Sequence, residues 1–499
     1  MADSPSLPCH LCGHAHVELV PAYAALRRVT SDCKPWAAGG WLGVCRACGG
    51  VQKRMDAAWR AEIERVYREY TIYHQSGGTE QAAFSAATGQ AKARSERIVE
   101  RLAQSGLVRE RGRLLDVGCG NGALLRACSR LLPGWALAGT EINDKYKGEV
   151  ESIPGVSVMQ VGGAADVPGE FDLVTLVHVL EHVPEPAQFL ASLRAKLVCG
   201  GNLMVEVPHY MDNPFDLLIV DHSTHFSAEV LRGVAERGGY TARVLATDWV
   251  AKELTLVAEP AATTADEQRE ELFPRVFADL QRRVIWLAML AQQTRALAEQ
   301  GKFGLFGTSI AAMWLFGELE GRIDFFVDED PMRVGRECFG RPVLSPAQVP
   351  GGSRVWLALP ARIAEQVRAR LAPHAGARIA FRTPPLPAAL VTILPDGLVS
   401  AGAAGAAAAT LGERREDGQV EVLLGLIRGA DREVDDGNRR GRNPERHAGQ
   451  LALDLGADQA DGLRRTGARG DEVDGRGAPT LPVLLARAVH RLLGGGVAV

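Results

Sequence analysis

Residues 113–122 read RLLDVGCGNG, an apolar run, an aspartate, and then glycines at 118, 120 and 122. The glycines let the backbone turn tightly and approach a ligand closely. The segment behind them, ALLRACSRLL, reads as a helix whose free N-terminal amides face the turn. Strand, glycine turn and helix in that order start an α/β unit on a parallel sheet. The pattern continues downstream. Trp135–Glu141 reads as a second strand ending in an acid, Val156–Gln160 as a third and Phe171–Val177 as a fourth. Asn202–Val207 is a fifth, closed by Pro208. A helix around Leu231–Arg237 leads to Ala242–Ala246 and Leu254–Glu259, two strands able to pair antiparallel. The expectation is an α/β, Rossmann-like domain with a seven-stranded mixed sheet.

At 499 residues the chain has room for about three domains. Residues 1–60 are rich in Cys, His and Trp and predict a zinc-binding module, followed by a linker over 61–90. The α/β domain takes 91–262. Residues 263–300 carry apolar positions at helical spacing without an internal glycine and read as one connecting helix. A smaller α/β domain follows over 301–398, where FGLFG (303–307) opens a helix and RIDFFVD (322–328) is a strand ending in acid. Residues 399–499 are a low-complexity tail, without aromatics from Ser400 onward. It reads either as a disordered extension or as translation from another frame.

The net charge of −4 leaves no electrostatic footprint for nucleic acid or an anionic membrane. No signal peptide and no run of ~18 apolar residues is found, so a cytoplasmic protein is expected. Thiols stay reduced there, and paired cysteines read as metal ligands. Cys9-x-x-Cys12 and Cys45-x-x-Cys48 are two such knuckles, each followed by glycine. Four thiolates satisfy tetrahedral Zn2+ and leave no open position, so the ion would be structural. Cys33, His14 and His16 could replace one ligand. A zinc ribbon can also bind RNA, but seven Lys/Arg against four Asp/Glu in residues 1–60 is too weak a bias for that.

The stretches LLDVGCGNG and FDLVTLVHVLEHVPEP, the strand-end Glu141 and the closing strand pair resemble the class I S-adenosylmethionine-dependent methyltransferases over about residues 90–260. The spacing G-x-G-x-G separates the loop from the G-x-G-x-x-G of NAD-binding oxidoreductases. The resemblance implies S-adenosyl-L-methionine as cofactor, with Asp116, Gly118, Cys119, Gly120 and Gly122 around its methionine end. It implies Glu141 on the ribose, Gly163 and Ala164 near the adenine, and His178 at the cofactor's border. Many relatives carry Asp where Gly163 stands.

The four-cysteine module, this domain and the second α/β domain together resemble the zinc-containing sugar C-methyltransferases over about residues 5–395. These act on nucleotide-linked keto-deoxysugars. The resemblance implies an active-site tyrosine in YREYTIYHQSGG (67–78), Tyr73 or else Tyr70, and an active-site His182. It lays a Tyr-x-Glu-His pattern on Ile219, Asp221 and His222. Isoleucine cannot donate a hydrogen bond, which leaves oxygen methylation close beside carbon methylation.

The stretch VDHSTHF (220–226) therefore reads as the substrate side of the pocket, following the fifth strand at the carboxyl edge where open α/β sheets bind ligands. His222 is the base, since an imidazole pKa of ~6.5 lies near working pH, with Asp221 to orient it. His225 either lines the pocket or serves the entry of the helix starting near Ser227. A metal site of His222, His225 and Asp221 is a further alternative. The expected substrate is a small molecule, a nucleotide-linked sugar or related glycan precursor. The rival readings are an RNA methyltransferase and a methyltransferase-like protein that binds without catalysis.

Overall fold

The computed structural model describes residues 8–70, 80, 82–84, 91–261, 271–375, 379–386, 391–393 and 399–401. Tyr73 and nearly all of the tail lie outside the described residues.

The N-terminal module is built on three short strands, β1 (Val17–Leu19), β2 (Leu42–Cys45) and β3 (Val51–Lys53), paired antiparallel in that order. Helix α1 (Ala57–Arg68) follows, capped by the Asp56 carboxylate, which accepts the Trp59 amide. An Asp cap of this kind satisfies one of the four free amides of the first turn.

The central domain opens with α2 (Arg94–Gln104) and then runs β4 (Gly112–Val117), α3 (Ala123–Leu131), β5 (Trp135–Glu141), β6 (Val156–Val161) and β7 (Phe171–Val177). It continues with α4 (Pro186–Leu193), β8 (Leu197–Pro208), β9 (Thr224–His225), α5 (Ala228–Arg237), β10 (Tyr240–Ala246) and β11 (Glu253–Pro260). The seven-stranded sheet has the order β6-β5-β4-β7-β8-β11-β10, with β11 alone running antiparallel to the rest, inserted between β8 and β10. The expected mixed sheet is therefore present. Its central strands are apolar on both faces because helices cover both. Leu114 and Leu137 pack with Ile98, Val99 and Leu102 of α2 on one side, and Leu115 and Leu176 with Phe189 and Leu231 on the other. The strand order reverses at β4/β7, so the loops after these strands diverge and leave a crevice at their carboxyl ends.

Strand β9 does not belong to this sheet. It is the fourth strand of the N-terminal sheet, antiparallel to β3, with Thr224 opposite Gln52 and His225 opposite Val51. The stretch expected at the fifth strand's carboxyl end thus crosses to the cysteine module.

A single helix, α6 (Leu272–Ala298), leads to a six-stranded, mainly parallel sheet over Phe303–Arg382. Val20, Tyr23, Leu26, Val29, Leu42, Val44 and Val51 of the N-terminal module share one core with Trp286 of α6 and with Trp314 and Phe326 of this last domain. Each fully buried apolar side chain contributes ~1.5–3 kcal/mol, against ~0–1 for a surface ion pair. Apolar contact therefore joins the module to the C-terminal domain far more firmly than the ion pair of Arg27 with Glu320. Among the described residues no helix is long and apolar enough to cross a membrane.

Candidate active site

The glycine turn between β4 and α3 needs its glycines for two separate reasons. Gly118, Gly120 and Gly122 have φ of +74°, +54° and +80°, where a Cβ is strained. A Cβ on Gly118 would also stand 2.5 Å from Cγ2 of Val179, the residue after His178 in the loop that follows β7. The two loops touch across the crevice. Glu141 ends β5, and its carboxylate accepts the amides of Gly120 (3.0 Å) and Ile142 (2.7 Å). A carboxylate offers about four lone-pair sites, so two remain for a diol, which fits a ribose. Asp116 is buried, accepts from the Thr175 hydroxyl at 2.8 Å, and its carboxyl is pushed up to about 7 by burial. Cys119 is buried beneath the turn, and Ala164 in the adjoining core. The Gly163 amide donates to the Asp166 carboxylate at 3.1 Å. An acid thus stands three residues beyond Gly163, engaged with its backbone amide.

His178 occupies the left-handed region with φ of +54°, a cost of about 1–3 kcal/mol that concentrates at functional sites. Its Nε2 accepts from the Arg94 guanidinium at 2.7 Å, and its Nδ1 lies 3.2 Å from Glu181. Burial, reinforced by the Arg94 charge, holds its pKa well below the usual value, so the ring is neutral. Behind it, burial pushes the carboxyls of Glu181 and Glu206 up to about 8.

His182 and His222 meet edge to face with ring centroids 4.7 Å apart. Their Nδ1 partners differ. His182 Nδ1 lies 2.9 Å from the Asp221 carbonyl and 3.1 Å from the Tyr67 hydroxyl. A carbonyl only accepts, so Nδ1 carries the proton and Nε2 the lone pair. Burial and then the neighbouring His222 push His182 down to about 4. His222 Nδ1 instead donates to Asp216 Oδ1 at 2.8 Å, while His225 Nδ1 donates to Asp216 Oδ2 at 2.7 Å. Burial opposes the Asp216 charge, but the two imidazoles outweigh it and hold the carboxyl well below its usual range. That carboxylate in turn overcomes the burial of His222 and raises its pKa above the ordinary imidazole value. His225 stays down at about 4 because of burial. The two adjoining rings thus have pKa values pushed apart by their different partners.

The orienting acid differs from the one expected. Asp221 accepts the Ser31 amide at 2.9 Å and the Ser31 hydroxyl, and its carboxylate lies 3.6 Å from His182. Asp216, six residues before His222, takes the place the sequence reading assigned to Asp221. The alternative metal trio of His222, His225 and Asp221 is not assembled; His222 instead converges with Asp216 and His225 and, separately, with Glu181 and His182, and the Asp216 oxygens are already engaged by the two Nδ1 atoms. Helix entry falls to Ser227, whose hydroxyl caps α5, while His225 is fully buried. Among the described residues Tyr67 is the tyrosine at His182, and Tyr70 packs on Tyr67 at 5.7 Å. Asp216 and Tyr67 were missed because a lone Asp in NPFDLLIV and the first tyrosine of YREY carry no periodic signal.

The four cysteines of the two knuckles converge, with all Sγ atoms within 4.8 Å of one another. The Cys9–Cys48 and Cys12–Cys45 separations are 3.8 and 3.6 Å. Thiolates about 2.3 Å from a tetrahedral zinc would stand about 3.8 Å apart, so the donor set fits that ion.

Residues 88–244 match the family described as "Methyltransferase domain". The chain is similar to the ubiquinone biosynthesis O-methyltransferase of Xanthomonas campestris pv. campestris (strain B100), 35% identical over 114 residues, 22% of this chain and 48% of the relative. The corresponding protein of Thiobacillus denitrificans is 35% identical over 98 residues, 18% of this chain and 41% of that one. The chain thus spans under half the length of these curated relatives. Among solved structures, a methyltransferase of calicheamicin biosynthesis in SAH-bound form aligns with 19% identity and a TM-score of 0.30, covering 42% of this chain and 61% of that one. The family match, the glycine turn and the strand order assign residues 88–244 to the class I S-adenosylmethionine-dependent methyltransferase domains.

Proposed function

We propose that the chain methylates a small molecule from S-adenosyl-L-methionine, with His222 as the base. When bound, the cofactor supplies a methyl carried on a positively charged sulfur. The observation that carries the reading is the Asp216–His222 pair set edge-on to a neutral His182. A base needs a free lone pair and a pKa close to working pH. His222 has the lone pair on Nε2, with Nδ1 committed to Asp216, whose charge raises the ring's pKa above the ordinary imidazole value. His182, the more open ring at 22% side-chain exposure, accepts a substrate hydroxyl on Nε2 and orients it. The Tyr67 hydroxyl keeps its proton, because burial raises its pKa well above the usual phenol value. It is the donor for an enolate oxygen. Glu141 binds the ribose, Gly118, Cys119, Gly120 and Gly122 the methionine end beside Asp116, and Gly163 and Ala164 the adenine edge. The four cysteines hold a structural zinc.

The favoured acceptor is the carbon beside the carbonyl of a nucleotide-linked keto-deoxysugar, on the resemblance across all three parts of the chain. A second reading, oxygen methylation of a small metabolite, is favoured by the ubiquinone biosynthesis O-methyltransferases among its relatives and by Ile219. The test incubates the protein with labelled cofactor and a panel of nucleotide-keto-sugars and hydroxylated aromatics, and locates the methyl by mass spectrometry. Label on the sugar carbon supports the first reading and label on oxygen the second. A protein that binds cofactor and labels nothing in the panel overturns both in favour of a non-catalytic binding protein.

A further inference from the structure

The loop that carries His222 is held mostly by the cysteine module. Ile219 bridges Val29, and the Val220 amide donates to the Val29 carbonyl at 2.9 Å. The Val220 carbonyl accepts from the Trp59 indole at 3.2 Å. Ser31 holds the Asp221 carboxylate, and the Lys53 amide donates to the Ser223 carbonyl at 2.9 Å. Even the turn that carries Asp216 is gripped, since the Leu217 carbonyl accepts from Tyr23 (2.8 Å) and from the Lys53 ammonium (2.7 Å). The methyltransferase core contributes the Ser223 bonds to the Glu181 and Val183 carbonyls, the His182 bond to the Asp221 carbonyl and a bridge between His209 and Phe226.

Two of the module's contacts start inside or just beyond the cysteine knuckles. His10, between Cys9 and Cys12, places Nε2 2.7 Å from the buried Thr224 hydroxyl, and its amide donates to the Gln52 side chain at 3.2 Å. Val51, three residues beyond Cys48, pairs with His225. The knuckles therefore grip both β3 and the two-residue strand β9. A strand that short does not persist unless its partner is in place.

We propose that residues 8–53 are a positioning element for the reaction loop, so that zinc loading at the four cysteines fixes where His222 points. The assignment of His222 as base belongs to the function proposed above; the mechanical coupling does not depend on it. Thr224 and His10 are positioning residues that act on the loop and touch no reacting atom.

The test compares the full-length protein loaded with Zn2+ and after chelation, with hydrogen exchange of the 219–226 segment, cofactor affinity by calorimetry, and turnover as readouts. Zinc removal is expected to speed exchange in this segment by about tenfold or more while α3 stays protected. Cofactor affinity should change by less than about twofold, because the glycine turn and Glu141 lie on the other side of the crevice. Thr224→Val leaves every cysteine in place and should reproduce the faster exchange with zinc content intact and turnover about tenfold lower. Thr224→Ser, which keeps the hydroxyl, should restore both. Unchanged exchange at 219–226 in both the zinc-free protein and Thr224→Val overturns the proposal, whatever happens to turnover. Full turnover in His222→Gln alongside the faster exchange would remove the base assignment and leave the coupling standing.

Discussion

Asp216 commits one carboxylate oxygen to each of two buried imidazoles, and this division sets the chemistry expected of His222. Asn in its place offers one acceptor oxygen and one amide donor, so a single imidazole at most keeps its Nδ1–H partner. Asp216→Asn should lower kcat/KM by about 10²–10⁴, the usual contribution of a positioned general base. The pH dependence carries a sign. His222 must be unprotonated to accept a proton, and its pKa is raised above ~6.5 by Asp216. The rate should therefore fall as pH drops through a value above ~6.5. In Asp216→Asn that limb moves to lower pH, and a limb that stays put would mean His222 is not the group titrating. At Glu141 the expected effect is on binding alone. Removing a carboxylate that bonds a diol loses about 1.5–3 kcal/mol, so Glu141→Ala should weaken cofactor Kd by about 10- to 150-fold. An unchanged affinity by calorimetry contradicts the ribose assignment.

The glycine turn acts as one element because β5 fastens it from behind. The Gly118 and Cys119 amides both donate to the Thr140 carbonyl at 2.9 Å, so the turn cannot retreat from Val179. Gly118→Ala meets a close contact and a left-handed backbone at once, and should cost about 1–3 kcal/mol of stability in denaturant unfolding. The double variant Gly118→Ala, Val179→Ala should recover the steric part and keep the backbone part. Full recovery would show that the φ of +74° imposes no cost here. This element was legible in the sequence. Trp135–Glu141 and Phe171–Val177 are strands over the residues expected, because strand and turn signals depend on neighbours a few positions apart. Strand β9 was not legible. Two polar residues, Thr and His, have no period to read, and they form a strand only because β3 lies alongside.

Across the whole molecule, the N-terminal module touches both other parts. Its apolar side chains share a core with α6 and the C-terminal domain, and its polar backbone groups hold the 219–226 loop of the methyltransferase domain. Elemental analysis should find about one zinc per chain, as four thiolates require. Chelation should lower the thermal midpoint, since a ligand bound only to the folded state stabilises it by mass action. A metal-free protein with an unchanged midpoint would defeat the zinc assignment. The histidine-to-aspartate pairing was only half legible in the sequence. His182 and His222 are adjacent, as their places after β7 and β8 suggested, yet the acid behind His222 is Asp216, and Asp221 belongs to Ser31, 190 residues away in the chain. The sequence by itself determined the α/β sheet, the glycine turn with Glu141 at the next strand's end, and the cysteine quartet, because each is written in short local motifs that repeat or follow in order along the chain. Only the tertiary structure decided which acid engages His222, that Tyr67 reaches His182 and which sheet takes β9. Those choices depend on side chains brought together across up to 214 positions, as His10 and Thr224 are, where burial forces each polar group to find a partner and local sequence does not say which one.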